Sequence, residues 1–292
     1  MAKRVGILYE SDEWSDWKLH RELEAALGRP VAMINMEADN CLDAAAECEV
    51  LVSCVFASAV FRGHEHAAAS MNALVHGALP ESVELINPRR AHGFEVSKAA
   101  AAQALEAAGL TVPPVLGLGR PEELRGAEER WRYPCVIKPD CGGRTTHTAV
   151  LHDASQAVAF LEEAPDLRFI VEEFIPARAG FMTRMELVDG ALALVVKRSI
   201  APNGLSSYHE GSTYELYPDC PEPVREAVRA AAAALDIQFG SFDVIEGADG
   251  RTYLIDANSV SNVSEDCTEL FGGLDLMGCY AEALARRIDG KA

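Results

Sequence analysis

The chain has 292 residues, 49% of them apolar, and a formal net charge of −19 from 26 basic and 45 acidic side chains. That length suits one or two domains with a well-buried core, and the composition excludes a disordered chain. The charge excludes a general affinity for nucleic acid or anionic membrane, so an anionic ligand would have to be met by locally clustered Lys and Arg.

Val5 to Tyr9 reads as a first buried strand, and Ser15 to Leu27 as a helix closed by Gly28 and Pro30. Val31 to Met36, Val50 to Phe56 and Val83 to Ile86 follow as strands, with a helix over His64 to His76. This alternation argues for a parallel sheet covered by helices. The pattern ends near Asn87-Pro88, the expected domain boundary. The Ala-rich stretch Phe94 to Ala108 predicts one helix stopped by Gly109. Val112 to Val115 is extended, and Pro121 to Glu129 predicts a short helix. Strands over 135–138, 147–151 and 169–174 flank a helix over Ala154 to Leu161. The last third changes character: Met182 to Val188 and Ala191 to Arg198 form a hairpin around Asp189-Gly190. A helix over Pro223 to Leu235 leads to a second hairpin, 242–246 with 252–258, around Asp249-Gly250. Leu276 to Ile288 is a closing helix. The eight cysteines form no CxxC pair. With no secretory leader they are expected to be reduced and mostly buried, and with no membrane-length apolar run the cytoplasm is the expected address.

Five clusters carry chemistry. Asp256 and Asn258, two apart on one strand, share a face, and Asp243 lies on the partner strand opposite Asp256 or within a residue or two of it. Such hard oxygen donors suit Mg²⁺; a wet strand face is the plain alternative. Lys138 ends the buried strand Cys-Val-Ile-Lys, and the Gly142-Gly143 turn after it lets backbone N–H groups approach a phosphate. There the alternative is a lysine reaching for water. The strand through Glu172, Glu173, Phe174 and Ile175 offers an apolar slot and backbone hydrogen bonds to a flat ligand. Lys98 stands on the Ala-rich helix. Arg184, Lys197 and Arg198, on one hairpin, supply positive charge for a developing anion or pair with surface carboxylates.

In chain order these features resemble the ATP-grasp superfamily, RimK-like carboxylate–amine ligases best, with D-alanine–D-alanine ligases and glutathione synthetases further off. The resemblance spans residues from about 87 to 290. It implies a mixed α/β and α+β architecture, with a Rossmann-like pre-ATP-grasp domain over residues 1–88 and an ATP-grasp catalytic domain over 89–290 (subdomains about 89–175 and 176–290). It further implies that Lys98 and Lys138 contact the ATP phosphates and that Gly142 and Gly143 lie in the loop closing over them. By the same resemblance, Glu172, Glu173, Phe174 and Ile175 form the hinge beside adenine. Asp243, Asp256 and Asn258 would hold one or two Mg²⁺ ions, with Mn²⁺ a substitute. Arg198, with Lys138, would serve the acyl phosphate.

The implied reaction joins a small-molecule or peptide carboxylate to an amine, releasing ADP and phosphate, with no nucleic acid or membrane involved. A homodimer is the commonest assembly. The chain departs from the family in four places. Asp256 stands where Glu is usual, and no ribose carboxylate follows Ile175. Only His209 and one Gly match in 207–212, and Ser-Val-Ser-Asn-Val-Ser follows Asn258 in place of Pro-Gly. Tyr208, His209 and Glu210 are candidates for the acceptor side. These departures keep a second expectation open, an ATP-binding regulator or degenerate partner without turnover.

Overall fold

The computed structural model describes residues 2–206, 211–265 and 267–290. Strands β1 (Val5–Tyr9), β2 (Ala32–Asn35), β3 (Val50–Ser53) and β4 (Glu84–Ile86) form a parallel sheet in the order β2-β1-β3-β4. Helices α1 (Trp14–Leu27), α2 (Cys41–Ala46) and α3 (Glu65–Ala73) connect them. Both sheet faces are covered. Val5 and Ile7 share a core with Leu19 and Leu23 of α1, whereas Leu8 and Leu51 pack with Ala45, Ala67 and Met71. Burial on both sides is why these strands read as unbroken apolar runs.

The helix expected over His64 to His76 stops at Ala73, and Leu74–Ala78 continues as a wider turn around Gly77, whose φ is 130°. The single helix expected over Phe94 to Ala108 is two, α4 (Arg89–Glu95) and α5 (Lys98–Ala107). Ser97 causes the break. Its hydroxyl accepts from Ala100 N at 3.2 Å, a stronger role for serine than a helix interior. Asp140 adds a second cap by accepting from Ala99 N at 2.8 Å. Lys98 thereby becomes the first residue of α5.

A four-stranded antiparallel sheet follows, β5 (Val115–Gly119), β6 (Cys135–Pro139), β7 (Ala149–Leu151) and β8 (Phe169–Glu173), ordered β5-β8-β6-β7. Helices α6 (Pro121–Leu124) and α7 (Ala154–Glu163) accompany it. Ile137, Phe169 and Val171 bury against Ala157 and Leu161 of α7. The helix expected over Pro121 to Glu129 ends early, at Leu124, because Arg125 turns extended with ψ 132° and Gly126 follows at a φ of 84°.

The third sheet has the order β11-β10-β9-β12-β13, built from β9 (Phe181–Val188), β10 (Ala191–Ser199), β11 (Tyr214–Leu216), β12 (Gly240–Glu246) and β13 (Thr252–Asn258). Helix α8 (Glu222–Leu235) covers one face. Val224, Val228, Ala231 and Leu235 recur at helical spacing and pack on Met185, Leu187, Phe242, Val244 and Leu254. The short helix α9 (Cys267–Leu270) and the closing helix α10 (Leu276–Ile288) end the chain. Helix α10 packs on α1 in the core of the first sheet. Asn87 ties that sheet to the third: its Oδ1 accepts from Gln238 N and Phe239 N at 2.8 and 3.0 Å, and its Nδ2 donates to Ser259 O at 2.8 Å. Among the described residues no helix is long and apolar enough to cross a membrane.

Candidate active site

The second and third sheets face each other across a cleft of about 500 Å³, whose mouth is closed on one side by the first sheet's loops. Register decides what the third sheet shows it. Directly opposed residues share a face. Arg184 of β9 is opposite both Val196 of β10 and Asp243 of β12, and Asp243 is opposite Asp256 of β13. Glu186 is opposite Leu194 and Ser241, and Ser241 is opposite Asn258.

The register of β12 and β13 shifts between Asp243 and Val244, so Asp243 meets Asp256 while Val244 meets Leu254. A bulge of this kind re-aims side chains. Leu254 stays in the core under α8, and Asp256 and Asn258, an even number of residues away, turn to the cleft.

All the expected site residues line this one cleft: Lys98, Lys138, Gly142, Gly143, Glu172, Glu173, Phe174, Ile175, Arg198, Asp243, Asp256 and Asn258. Lys197 does not. It lies over the Phe181 and Tyr217 rings, 5.3 and 4.9 Å from their centroids, and approaches Glu215 at 3.6 Å. Strand alternation places it on the opposite face from Arg198, so its contribution to the site is withdrawn. Ser207, Tyr208, His209 and Glu210 lie outside the described residues.

Each basic group in the cleft contacts a carboxylate. Lys98 Nζ lies 2.8 Å from Asp256 Oδ1, and Lys138 Nζ lies 2.7 Å from Glu172 and donates to Ile255 O at 2.9 Å. Arg198 donates to Asp243 Oδ2 at 2.8 Å and to Ser206 Oγ at 3.1 Å. Arg184 donates to Glu186 at 2.7 Å and approaches Asp243 at 3.5 Å. Burial opposes the charge on Lys98, but Asp256 at contact outweighs it and holds the ammonium above its ordinary value. Burial likewise opposes the Asp256 charge, and Lys98, then Lys138, win and hold the carboxyl below its usual range. Arg184 is held upward, with burial overcome by Glu186 and Asp243.

The donor set fits a hard divalent cation. Asp243 Oδ1 is buried and accepts no hydrogen bond among the described residues; the Arg184 guanidinium, at 3.5 Å, is the cation facing it, which leaves the oxygen free to bond a metal ion. Among those residues no group of three His, Cys, Asp or Glu side chains could hold a metal. Any ion there would therefore rest on two carboxylates, the Asn258 amide and oxygens brought by a ligand.

Sequence reasoning passed over several cleft residues. Glu13 follows β1 at the carboxyl end of a parallel sheet, where ligands collect, and that position is a usable signal. It accepts from Arg144 at 2.7 Å, and Asn262 and Arg62 also face it. Burial raises the Glu13 carboxyl, but these partners prevail and hold it below its usual value. Arg144, Thr145 and His147 all take positive φ, 59°, 58° and 53°. Gly142, with φ 151°, has the Phe61 ring where a Cβ would stand. Phe61 also meets the His147 ring edge-on at 5.8 Å. Glu95, buried, accepts from Ser259 N at 2.6 Å, and burial pushes its carboxyl up.

No described protein-family profile matches the chain. It is 29% identical over 164 residues to a D-alanine–D-alanine ligase of Bordetella petrii, 52% of this chain and 50% of that one. The chain spans about half the length of the curated relatives it matches. A RimK-domain ATP-grasp protein from Sphaerobacter thermophilus superposes with a TM-score of 0.69 at 20% identity, over 97% of this chain and 98% of its own. The ATP-grasp ligase PsnB, solved with a minimal precursor, Mg and ADP, superposes with a TM-score of 0.65 at 14% identity, over 98% of each chain. The chain has the ATP-grasp fold.

Proposed function

We propose that the chain is an ATP-dependent carboxylate–amine ligase that forms ADP. The observation that carries this reading is the convergence on one cleft of Lys98, Lys138, Arg184, Arg198, Asp243, Asp256 and Asn258. Residues 1–88 serve as a Rossmann-like pre-ATP-grasp domain and residues 89–290 as the catalytic domain. Adenine lies against the hinge formed by Glu172, Glu173, Phe174 and Ile175. Lys98 and Lys138 turn from their carboxylates to the phosphates, under the loop carrying Gly142 and Gly143.

Asp243, Asp256 and Asn258 would hold one or two Mg²⁺ ions, whose chemistry there would be to neutralise phosphate charge. A substrate carboxylate oxygen attacks the γ-phosphorus and the bond to the bridging oxygen breaks, giving an acyl phosphate and ADP. Arg198, in contact with Asp243, and Arg184, in contact with Glu186, face the charge that builds there. The amine nitrogen then attacks the acyl carbon, phosphate leaves, and the nitrogen gives up its proton. Burial of the cleft shields the acyl phosphate from water.

The test is ADP release from MgATP with pools of carboxylates and amines. ADP formation that requires both pools and is lost in Asp243→Asn is expected. Nucleotide binding with no ADP from any pool would instead mark a regulator of the kind Asp256 leaves open.

A further inference from the structure

We infer that the carboxylate substrate carries an apolar body of several carbons, seated on the β10–β11 edge of the third sheet beneath α9. The inference rests on the ligase reading and adds the substrate's chemical class. One row of side chains crosses the cleft face in register: Asp256, Asp243, Arg184, Val196 and Leu216. Its neighbouring row runs Asn258, Ser241, Glu186, Leu194. Along these two rows charge is graded, with carboxylates at one end, Arg184 and Glu186 at the centre and aliphatic groups at the other end, while the next row on β10 carries Arg198.

The metal and nucleotide phosphates occupy the carboxylate end, and the reacting carboxylate must reach both them and Arg184. The rest of the molecule then extends outward from Arg184, over Val196 and Leu194. That ground is an apolar wall: Leu194 and Val196 are nearly fully buried against Phe271, Val263 and Cys267, and the open apolar area beside them is that of Leu270. Leu270, also lining the cleft, is 48% exposed. A large aliphatic group left half open inside a cleft has area to bury on a ligand. Glu186 borders this ground, but it is engaged by Arg184 and by the Ser261 hydroxyl, so it draws no cationic side chain. A charged or hydrated substrate body would lose its water against these aliphatic walls.

Hydroxylamine replaces the unknown amine in the test. It attacks the acyl carbon, releases phosphate and yields a hydroxamate, so the carboxylate alone is interrogated. Chain at full length, MgATP and hydroxylamine are combined with leucine and phenylalanine (each enantiomer) and 4-methylpentanoate, against glycine, aspartate and glutamate. Each buried methylene is worth about fourfold. The apolar acids should therefore exceed the others in kcat/KM for hydroxamate by at least about tenfold. Leu270→Ser should raise KM for the apolar acids by about fivefold and leave the ranking among the polar ones unchanged. Preference for glycine, aspartate or glutamate overturns the inference and leaves the ligase reading standing, as does a Leu270→Ser effect equal for all acids. Absence of both ADP and hydroxamate from every acid overturns the ligase reading, and the inference falls with it.

Discussion

Replacing Lys98 by methionine keeps most of the side chain's bulk and removes the charge 2.8 Å from Asp256. The pair is only partly screened, with side chains 14% and 28% exposed, so the discount due to a surface ion pair does not apply in full. In the proposed site Lys98 guards a metal ligand until phosphate draws it away. The substitution then acts with opposite signs on two ligands. Freed from its ammonium, Asp256 gains for a cation what it lost to Lys98, about 1.5–3 kcal/mol for a charge-assisted contact. That is about ten- to a hundredfold tighter binding of Mn²⁺ in the absence of nucleotide. The same lost charge weakens a non-hydrolysable ATP analogue by a similar factor. Electron paramagnetic resonance of free Mn²⁺ reads the first effect and calorimetry the second. The variant also leaves Asp256 unpaired in a buried site, so its melting temperature should fall and Mn²⁺ alone should restore part of it. Unchanged Mn²⁺ affinity in the nucleotide-free variant would refute the guarding role, even if nucleotide affinity fell.

Three further outcomes follow from the packing. Burial, then Glu13, pushes the Asp16 carboxyl up to about 8, and burial, then His76, pulls His92 down to about 4. Folded Asp16 keeps a proton that the unfolded chain loses near pH 4, so its contribution to stability falls as pH rises from about 4 to 8; His92 has the opposite slope between about 4 and 6.5. The two oppose each other below pH 6.5, which leaves a fall in stability from about 6.5 to 8, of at most about 1.4 kcal/mol per pH unit. Asp16→Asn should flatten that fall in urea melts, and an unchanged slope would refute the assignment. Ser97→Ala should cost at most about 1 kcal/mol in the same melts, since Asp140 still caps α5. Gly142→Ala, strained by its φ of 151° and opposed by Phe61, should cost about 1–3 kcal/mol of nucleotide affinity by calorimetry. Phe61→Ala should restore only part of it, because the backbone strain remains.

Much of the site was legible because chemistry and alternation agree locally. Asp256 and Asn258 are two apart on a strand, and Lys138 ends one. The strands of the first sheet, buried on both faces, announce themselves as apolar runs. What was not legible depends on partners far away in the chain. Ser97 in an Ala-rich stretch does not look like a break until Asp140, forty-three residues on, is seen to share the cap. Strand β11 is three residues long and α9 four, too short for either period to register. Lys197 and Arg198 look equivalent in sequence, and only the pairing of β10 with β9 sends one to the cleft and the other to a surface aromatic pair.

Asp243, Asp256 and Asn258, the proposed metal ligands, show how far local reading carries. Counting by twos from Leu254, a core residue, puts Asp256 in the core as well, which is an untenable place for a carboxylate. Counting from Asp256 puts Leu254 in the cleft. The sequence is self-contradictory unless a residue is inserted between them, and the register shift beside Asp243 is that insertion. The same bulge leaves Ile255 O available to Lys138 at 2.9 Å, so the irregularity that faces Asp256 to the cleft also anchors the second lysine. Beyond Asn258 the strand is held by groups outside its own hairpin, since Ser259 donates to Glu95 of α4 and accepts from Asn87, next to β4. The position of the carboxylates therefore depends on Asn87 and Glu95 as well as on their own hairpin, and a spacing of two residues in a sequence cannot carry that information.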